Sequence, residues 1–231
     1  MMLEVKGLEA WYGESHVLHG VDIHINEGEV VTLLGRNGAG KTSTLRAIMG
    51  LTGRRAGSVK FQGGEIIGAR SDIIARKGIA YCPEERGIFA SLDVTENLML
   101  PPQIAPGGMS VEEIYTLFPN LKERARSPGT KLSGGEQQML AIGRILRTGA
   151  KLLLLDEISE GLAPVIVQAL ARMIRDLKAK GYTIVMVEQN FAFAEPLADR
   201  FYVMEHGQMV MSFAAAQLSE QRAQLNEYLG L

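Results

Sequence analysis

Three groups of residues in this 231-residue chain have the types and spacing to handle phosphate. The first is Gly35-Arg36-Asn37-Gly38-Ala39-Gly40-Lys41-Thr42, which matches G-x-x-x-x-G-K-[ST], the phosphate-binding P-loop. Its glycines let the backbone curl around an anion without Cβ clashes. The curled N–H groups and the helix start that follows, with Ser43 in its first turn, then face the charge. Lys41 adds a point charge for the β- and γ-phosphates, and the Thr42 hydroxyl is placed to ligate Mg²⁺. The second group is Asp156-Glu157, two acids closing the apolar run Leu152 to Leu155. Asp156 would hold the metal, and Glu157 would orient or deprotonate an attacking water. The third is Ser133-Gly134-Gly135-Glu136, where a serine able to cap a helix precedes two glycines that leave the first-turn amides uncovered.

These residues need a scaffold, and the flanking sequence supplies one. Glu29 to Leu34 reads as a buried strand running into the P-loop, and Thr42 to Met49 as a helix stopped by Gly50. Lys151 to Asp156 reads as a fully buried parallel strand, so its acids sit at the carboxyl end, where α/β sheets place ligands. Thr183 to Val187 repeats that pattern and ends in Glu188-Gln189-Asn190. Ile79 to Cys82 is a strand entering the loop Pro83 to Gly87. Residues 3 to 12 and 16 to 25 read as strands, the second with Ile23 and Ile25 alternating with polar neighbours. Ser58 to Phe61 is a short strand, and Phe201 to Met204 with Met209 to Ser212 a hairpin around His206-Gly207. The stretch from about 90 to 148 carries no strand signal. It predicts helices over 95 to 100, from a Ser110–Glu113 capping box toward Phe118, and from Ser133 to about Arg147. Pro164 opens a helix ending near Lys180-Gly181. Residues 214 to 229 read as a surface helix.

Composition narrows the classes. Basic residues number 24 and acidic ones 26, a formal net charge of -2 that argues against a nucleic-acid binder working by bulk charge. No apolar run approaches the roughly 18 residues that span a bilayer, and Met1 to Lys6 lacks the apolar core of a signal peptide. The one cysteine, Cys82, allows no internal disulfide and suits a reducing cytosol. His16, His19, His24 and His206 show no metal spacing. Trp11 and Tyr12, about 25 residues before the P-loop, leave two readings open: one of them stacks on a purine, or both close the rim of a sheet.

The order of P-loop, Leu132-Ser133-Gly134-Gly135, Leu152 to Glu157 and a polar cluster about 30 residues on resembles the ATP-binding-cassette ATPases over essentially the whole chain. The run Leu132 to Arg144, with Pro83-Glu84, Gly161-Leu162-Ala163-Pro164 and Val187-Glu188-Gln189-Asn190, is similar to the ATPase subunits of branched-chain amino-acid importers and their urea and short-chain amide relatives. The resemblance implies one α/β P-loop cassette over residues 1–231, with an antiparallel β subdomain and an inserted helical subdomain. It implies ATP and Mg²⁺ as ligands and hydrolysis coupled to transport, at the cytoplasmic face of the inner membrane. Transmembrane permeases would be partners, with an extracytoplasmic solute-binding protein acting indirectly. A second cassette ATPase, a sister or another copy, would complete the dimer. Tyr12 becomes the adenine-stacking aromatic. Ser133 to Glu136 become the signature that binds the γ-phosphate held by the partner's P-loop. Ser159 to Ala163 pass between subunits, and the segment from Glu84 to Leu92 receives a permease helix, with Phe89 and Leu92 either lining that groove or packing in the core. A lipid-type exporter ATPase and a soluble non-transport cassette are the rival readings.

Four positions depart from the generic cassette pattern. Glu84 (or Glu85, by register) replaces a glutamine; a carboxylate donates no hydrogen bond and at 4 Å from a phosphate charge is repelled by about 4 kcal/mol in an effective dielectric of 20. Its role is therefore expected to run through the metal or a water, which places Glu84 with Thr42 and Asp156 as candidate metal ligands. Gln189 replaces the switch histidine as a catalytic-site residue; it can still donate to a γ-phosphate but does not titrate. Ala163 replaces an inter-subunit aspartate, and Ile158 a proline.

Overall fold

In the computed structural model, which describes residues 1–230, the P-loop, Asp156-Glu157, Glu84 and Gln189 lie at the carboxyl ends of strands of one sheet, whereas Ser133 to Glu136 open a helix outside it. The chain opens with β1 (Leu3–Tyr12) and β2 (Ser15–Ile25), then β3 (Val30–Leu34), the P-loop and α1 (Lys41–Ile48). Next come β4 (Arg54–Phe61), β5 (Gly64–Glu65), α2 (Ser71–Arg76) and β6 (Ile79–Cys82). A helical stretch holds α3 (Val94–Met99), α4 (Val111–Leu117), α5 (Pro119–Glu123) and α6 (Gly134–Leu146). The chain then runs through β7 (Leu152–Asp156), α7 (Pro164–Ala179), β8 (Thr183–Glu188), α8 (Phe191–Ala194), β9 (Arg200–Glu205), β10 (Gln208–Ala214) and α9 (Leu218–Leu229).

The central sheet has the order β10-β9-β3-β8-β7-β6. All but β10 run parallel within it. Strands β3, β7 and β8 are buried at every residue, as strands covered on both faces must be. Side-chain alternation divides their apolar groups between two cores. Leu153, Leu155, Ile184 and Met186 face the helical stretch and α7, in a cluster with Leu98, Ile114, Phe118, Leu121 and Leu140. Leu152, Leu154, Val185 and Val187 face the other way, toward α1 and the antiparallel sheet β2-β1-β4-β5. Ile158, at the position where the family pattern has proline, is 1 % exposed and packs in the first of these cores, which accounts for an apolar residue there.

Caps set the helix starts. Asp93, Ser110 and Ser133 each accept a hydrogen bond from the backbone N–H three residues on, and each donates its own N–H to the glutamate carboxylate there. The structure departs from the sequence expectation mostly at the ends of elements. Strand β4 begins at Arg54, four residues early, because arginines 54 and 55 pair with Trp11 and Ala10 on a half-exposed face. The tail is strand as far as Ala214, which pairs with Arg200; the helix proper starts only at Leu218. Elements as short as β5, α5 and α8 carry too few residues for a period to register.

Candidate functional site

The P-loop leaves β3 at the centre of the sheet. On one side of β3 stands β8, with β7 and β6 beyond it. The carboxyl ends of these four parallel strands carry the P-loop, Gln189, Asp156-Glu157 and Glu84, so the topology alone brings them together. A cavity of about 360 Å³ lies there, lined by Val17, residues 37–43, Glu84, Glu157, Glu160 and Gln189.

Lys41 lies on the floor, 4 % exposed. Its Nζ donates to the carbonyls of Gly35 (2.9 Å) and Arg36 (3.2 Å) and stands 3.4 Å from Glu157 Oε1. Gly35 and Arg36 thus hold the lysine through their carbonyls and do not line the cavity. The Arg36 guanidinium lies against Gly230 at the end of α9, away from the phosphate cradle. The glycine requirement also differs along the loop. At Gly35 a Cβ would meet the Met204 carbonyl at 2.5 Å, so close packing demands glycine there, whereas Gly38 has a left-handed φ of 79° and open space on its Cβ side.

Asp156 is fully buried between two hydroxyls: Thr42 donates to Oδ1 (2.9 Å) and Tyr81 to Oδ2 (2.8 Å). Burial raises its pKa above the ordinary value; the two hydroxyls oppose that shift, and the nearby Glu157 and Glu84 charges add to it. Glu157 has a left-handed φ of 46°, its N–H donates to the Val187 carbonyl (2.9 Å), and its Oε2 accepts from Gln189 Nε2 (2.6 Å). Burial would raise its pKa, but hydrogen bonding with Glu160, the Lys41 charge and the Gln189 amide outweigh it and hold Glu157 below the usual carboxylate value. Glu160 bears the opposite consequence: sharing a hydrogen bond with Glu157 pushes it up to about 7. Carboxylate oxygens of Glu84, Glu157 and Glu160 all lie within 4.8 Å of one another. The register at the β6 loop is resolved as well. Glu84 faces this cavity, while Glu85 points to Arg46, 3.4 Å away.

Ser133 caps α6: its Oγ accepts from Glu136 N (3.3 Å) and its N–H donates to Glu136 Oε2 (2.7 Å). Residues 133–136 are not among those lining the P-loop cavity, so the chain does not bring its two helix starts into one site. Trp11 is engaged on both ring faces, by His16 with centroids 4.3 Å apart and by the Arg54 guanidinium at 4.2 Å. Tyr12, on the opposite face of β1, remains 39 % exposed and outside the cavity lining. Phe89 is 49 % exposed and not core; Arg144 lies 5.0 Å over its ring, and Asn97 pins its backbone through both N–H and carbonyl.

A family model for the ABC transporter matches residues 18–160. The chain belongs to the ABC transporter family. Over 99% of its length, and all of the relative's, it is 42% identical to the high-affinity branched-chain amino acid transport ATP-binding protein BraG of Pseudomonas aeruginosa. Against the probable branched-chain amino acid transport ATP-binding protein LivF of Archaeoglobus fulgidus, identity is 34%, covering 95% of this chain and 94% of that one. The lipopolysaccharide export system ATP-binding protein LptB of Escherichia coli K12 is 32% identical, covering 99% and 97%. The fold superposes on a nucleotide-free ATP-binding cassette from an ABC transporter with a TM-score of 0.85 at 24% identity, covering 100% and 98% of the two chains. The α/β cassette architecture expected from the motifs is therefore the one observed, and nucleotide binding comes with the family. Among the described residues no helix is long and apolar enough to cross a membrane.

Sequence reasoning assigned no role at this site to Tyr81 or Val17, and reached Glu160 only within the 159–163 segment that the resemblance places between subunits. The first two were within reach, since Tyr81 sits beside Cys82 at a strand's carboxyl end and Val17 on the strand following the Trp11-Tyr12 turn.

Proposed function

We propose that this chain is the ATP-binding and ATP-hydrolysing subunit of an importer for branched-chain amino acids or a related small polar solute. The observation that carries hydrolysis is the position of Glu157 at the wall of the P-loop cavity, held between Lys41 and Gln189 with its proton affinity lowered. The full-length likeness to BraG carries the cargo.

A triphosphate bound by the amides of residues 37–43 draws the Lys41 charge onto its β- and γ-oxygens, loosening the lysine from Glu157. The freed carboxylate then takes the proton of the attacking water. Gln189 has a second amide N–H with which to reach a γ-phosphate oxygen while the first stays on Glu157. The oxygens already gathered at Thr42 and Asp156 are hard donors of the kind Mg²⁺ takes, in a buried place where a divalent charge would offset the cost of ionising Asp156. When bound, the metal would neutralise charge on the phosphates. Glu84 reaches the same region and acts through that ion or a water. Tyr12 offers the free aromatic face for the adenine.

The signature Ser133 to Glu136, which lies outside the cavity of its own chain, serves in this reading to complete the site of a second subunit. Permeases dock beside the loop 84–92, where Phe89 is exposed, and the subunit works at the cytoplasmic face of the membrane that holds them. A reading as an exporter ATPase has the LptB relative in its favour, at lower identity. The permease that copurifies decides between the two.

The test is Glu157→Gln. The expected result is retained ATP binding with turnover down about 10²- to 10⁴-fold, the range for losing a general base. Near-normal turnover would remove Glu157 from its role.

A further inference from the structure

The segment that follows the catalytic strand is held by one strand end. Three consecutive residues at the carboxyl end of β8 grip it. The Val187 carbonyl takes the Glu157 N–H at 2.9 Å. Glu188 accepts two hydrogen bonds from Ser159, from its N–H to Oε1 (3.2 Å) and from its hydroxyl to Oε2 (2.7 Å). Gln189 donates to the Glu157 carboxylate at 2.6 Å. Glu188 is 1 % and Ser159 4 % exposed. Beside them lies a cavity of about 560 Å³ lined by Glu157, residues 159–162, Pro164 and residues 188–190 among others. The loop borders this cavity on one side, while Ile158 and Leu162 pack on the core, so the hydrogen bonds fix the polar groups that these apolar contacts leave free.

Glu188 is a costly residue to use for this. The charges that reach it are those of Glu157 and Glu160, of its own sign, and burial above all pushes it up to about 8. An apolar side chain would fill the space more cheaply, but it could not hold both polar groups of one serine.

We propose that Glu188 is a positioning residue for ATP hydrolysis: it clasps Ser159, so that the loop 159–163 and the Glu157–Gln189 pair are set as one unit. The inference rests on the hydrolytic reading given above. Through the clasp, displacement of the loop that follows Ser159 is transmitted to the geometry of Glu157, and a subunit pressing on that loop would set the water-activating carboxylate without touching it.

The test is steady-state ATP hydrolysis as a function of ATP concentration, with thermal melting, for the wild type, Glu188→Ala, Glu188→Gln, Ser159→Ala and the Glu188→Ala/Ser159→Ala pair. The glutamine keeps one acceptor for the Ser159 N–H and offers a donor to its hydroxyl oxygen, so it preserves the clasp. The expected result is kcat down on the order of ten- to a hundredfold for Glu188→Ala, the scale of a misplaced catalytic group, with KM for ATP within about twofold. Ser159→Ala should fall in the same direction, the pair should be no slower than Glu188→Ala alone, and Glu188→Gln should recover most of the rate. Wild-type kcat in Glu188→Ala, multiplying effects in the pair, no recovery with glutamine, or kcat, KM and melting point all moving together would each overturn the proposal. Ser159→Ala keeps the test decisive if Glu188→Ala does not fold. A wild-type chain without ATP hydrolysis would instead sink the hydrolytic reading, leaving the clasp as architecture only.

Discussion

The two helix starts suited to phosphate are built in opposite ways. Helix α1 begins at Gly40 in a left-handed conformation, with no side-chain cap, no acid in its first turn, and Lys41 at its head. Its orphan amides and its dipole are left for an anion, and the lysine adds to the same field. Helix α6 begins with a closed capping box in which Ser133 and Glu136 satisfy each other's backbone N–H groups, and Glu136 sets a negative charge against the dipole. The box satisfies the Ser133 and Glu136 N–H groups and leaves those of Gly134 and Gly135 open. Under the proposed function, α1 is the end that captures nucleotide and α6 a capped surface brought to a nucleotide held by a second subunit. The Ser133 hydroxyl, an acceptor toward Glu136, still has its proton to donate to a phosphate.

Substitutions can break this contrast in order of expected size. The largest effect is expected at Lys41. Lys41→Ala removes charge-assisted bonds worth about 1.5–3 kcal/mol each, so ATP affinity should fall by at least tenfold in calorimetric titration. Unchanged affinity would mean that the amides alone suffice. Ser133→Ala should behave differently. Loss of the cap costs about 1 kcal/mol, readable as a lower melting temperature, while ATP affinity of the single chain stays as it was and turnover falls. If Ser133→Ala weakened ATP binding by the isolated chain as Lys41→Ala does, the contrast between the two helix starts would collapse.

A subtler change sharpens the electrostatics around Glu157. Its pKa is lowered, so it stays ionised through neutral pH and loses activity only below the ordinary carboxylate range. Gln189 does not titrate and adds no limb of its own; in the wild type the group that changes charge near neutral pH beside Glu157 is Glu160, pushed up to about 7. Gln189→His should introduce a limb near the imidazole pKa of about 6.5; identical pH–rate profiles would contradict a role for this position next to Glu157. The smallest effect is expected at Cys82. Burial pushes its thiol up to about 12, so alkylation of the folded protein should be slow and should speed up only on unfolding.

Much of the fold was legible because the central strands are buried on both faces and read as unbroken apolar runs, Leu152 to Leu155 most plainly. The P-loop and the Asp156-Glu157 pair were legible for the same reason, each closing such a run. The ties between them were not. Tyr81 reaches Asp156 across 75 positions of sequence, and Gln189 reaches Glu157 across 32, through strand neighbours that only the sheet order defines. Glu188 was visible as a polar residue after a strand, but nothing in its local pattern reveals that it turns inward to Ser159. The reason for Gly35 was hidden likewise, since the atom that excludes a Cβ there belongs to Met204. Trp11 and Tyr12 could not be separated by spacing. The resemblance favours Tyr12, and in the structure the Trp11 ring is taken up by His16 and Arg54 on the neighbouring strands.

The central claim is that one chain's P-loop works with another chain's signature, and one mixing experiment tests it directly. Lys41→Ala and Ser133→Ala chains are each assayed for ATP hydrolysis alone and then combined, beside an active wild-type chain. If the sites are shared, a mixed pair contains one site with both halves intact. Two inactive preparations should then regain a substantial part of the wild-type rate. A mixture that stays as inactive as its components, while the wild type hydrolyses ATP, would contradict the shared site.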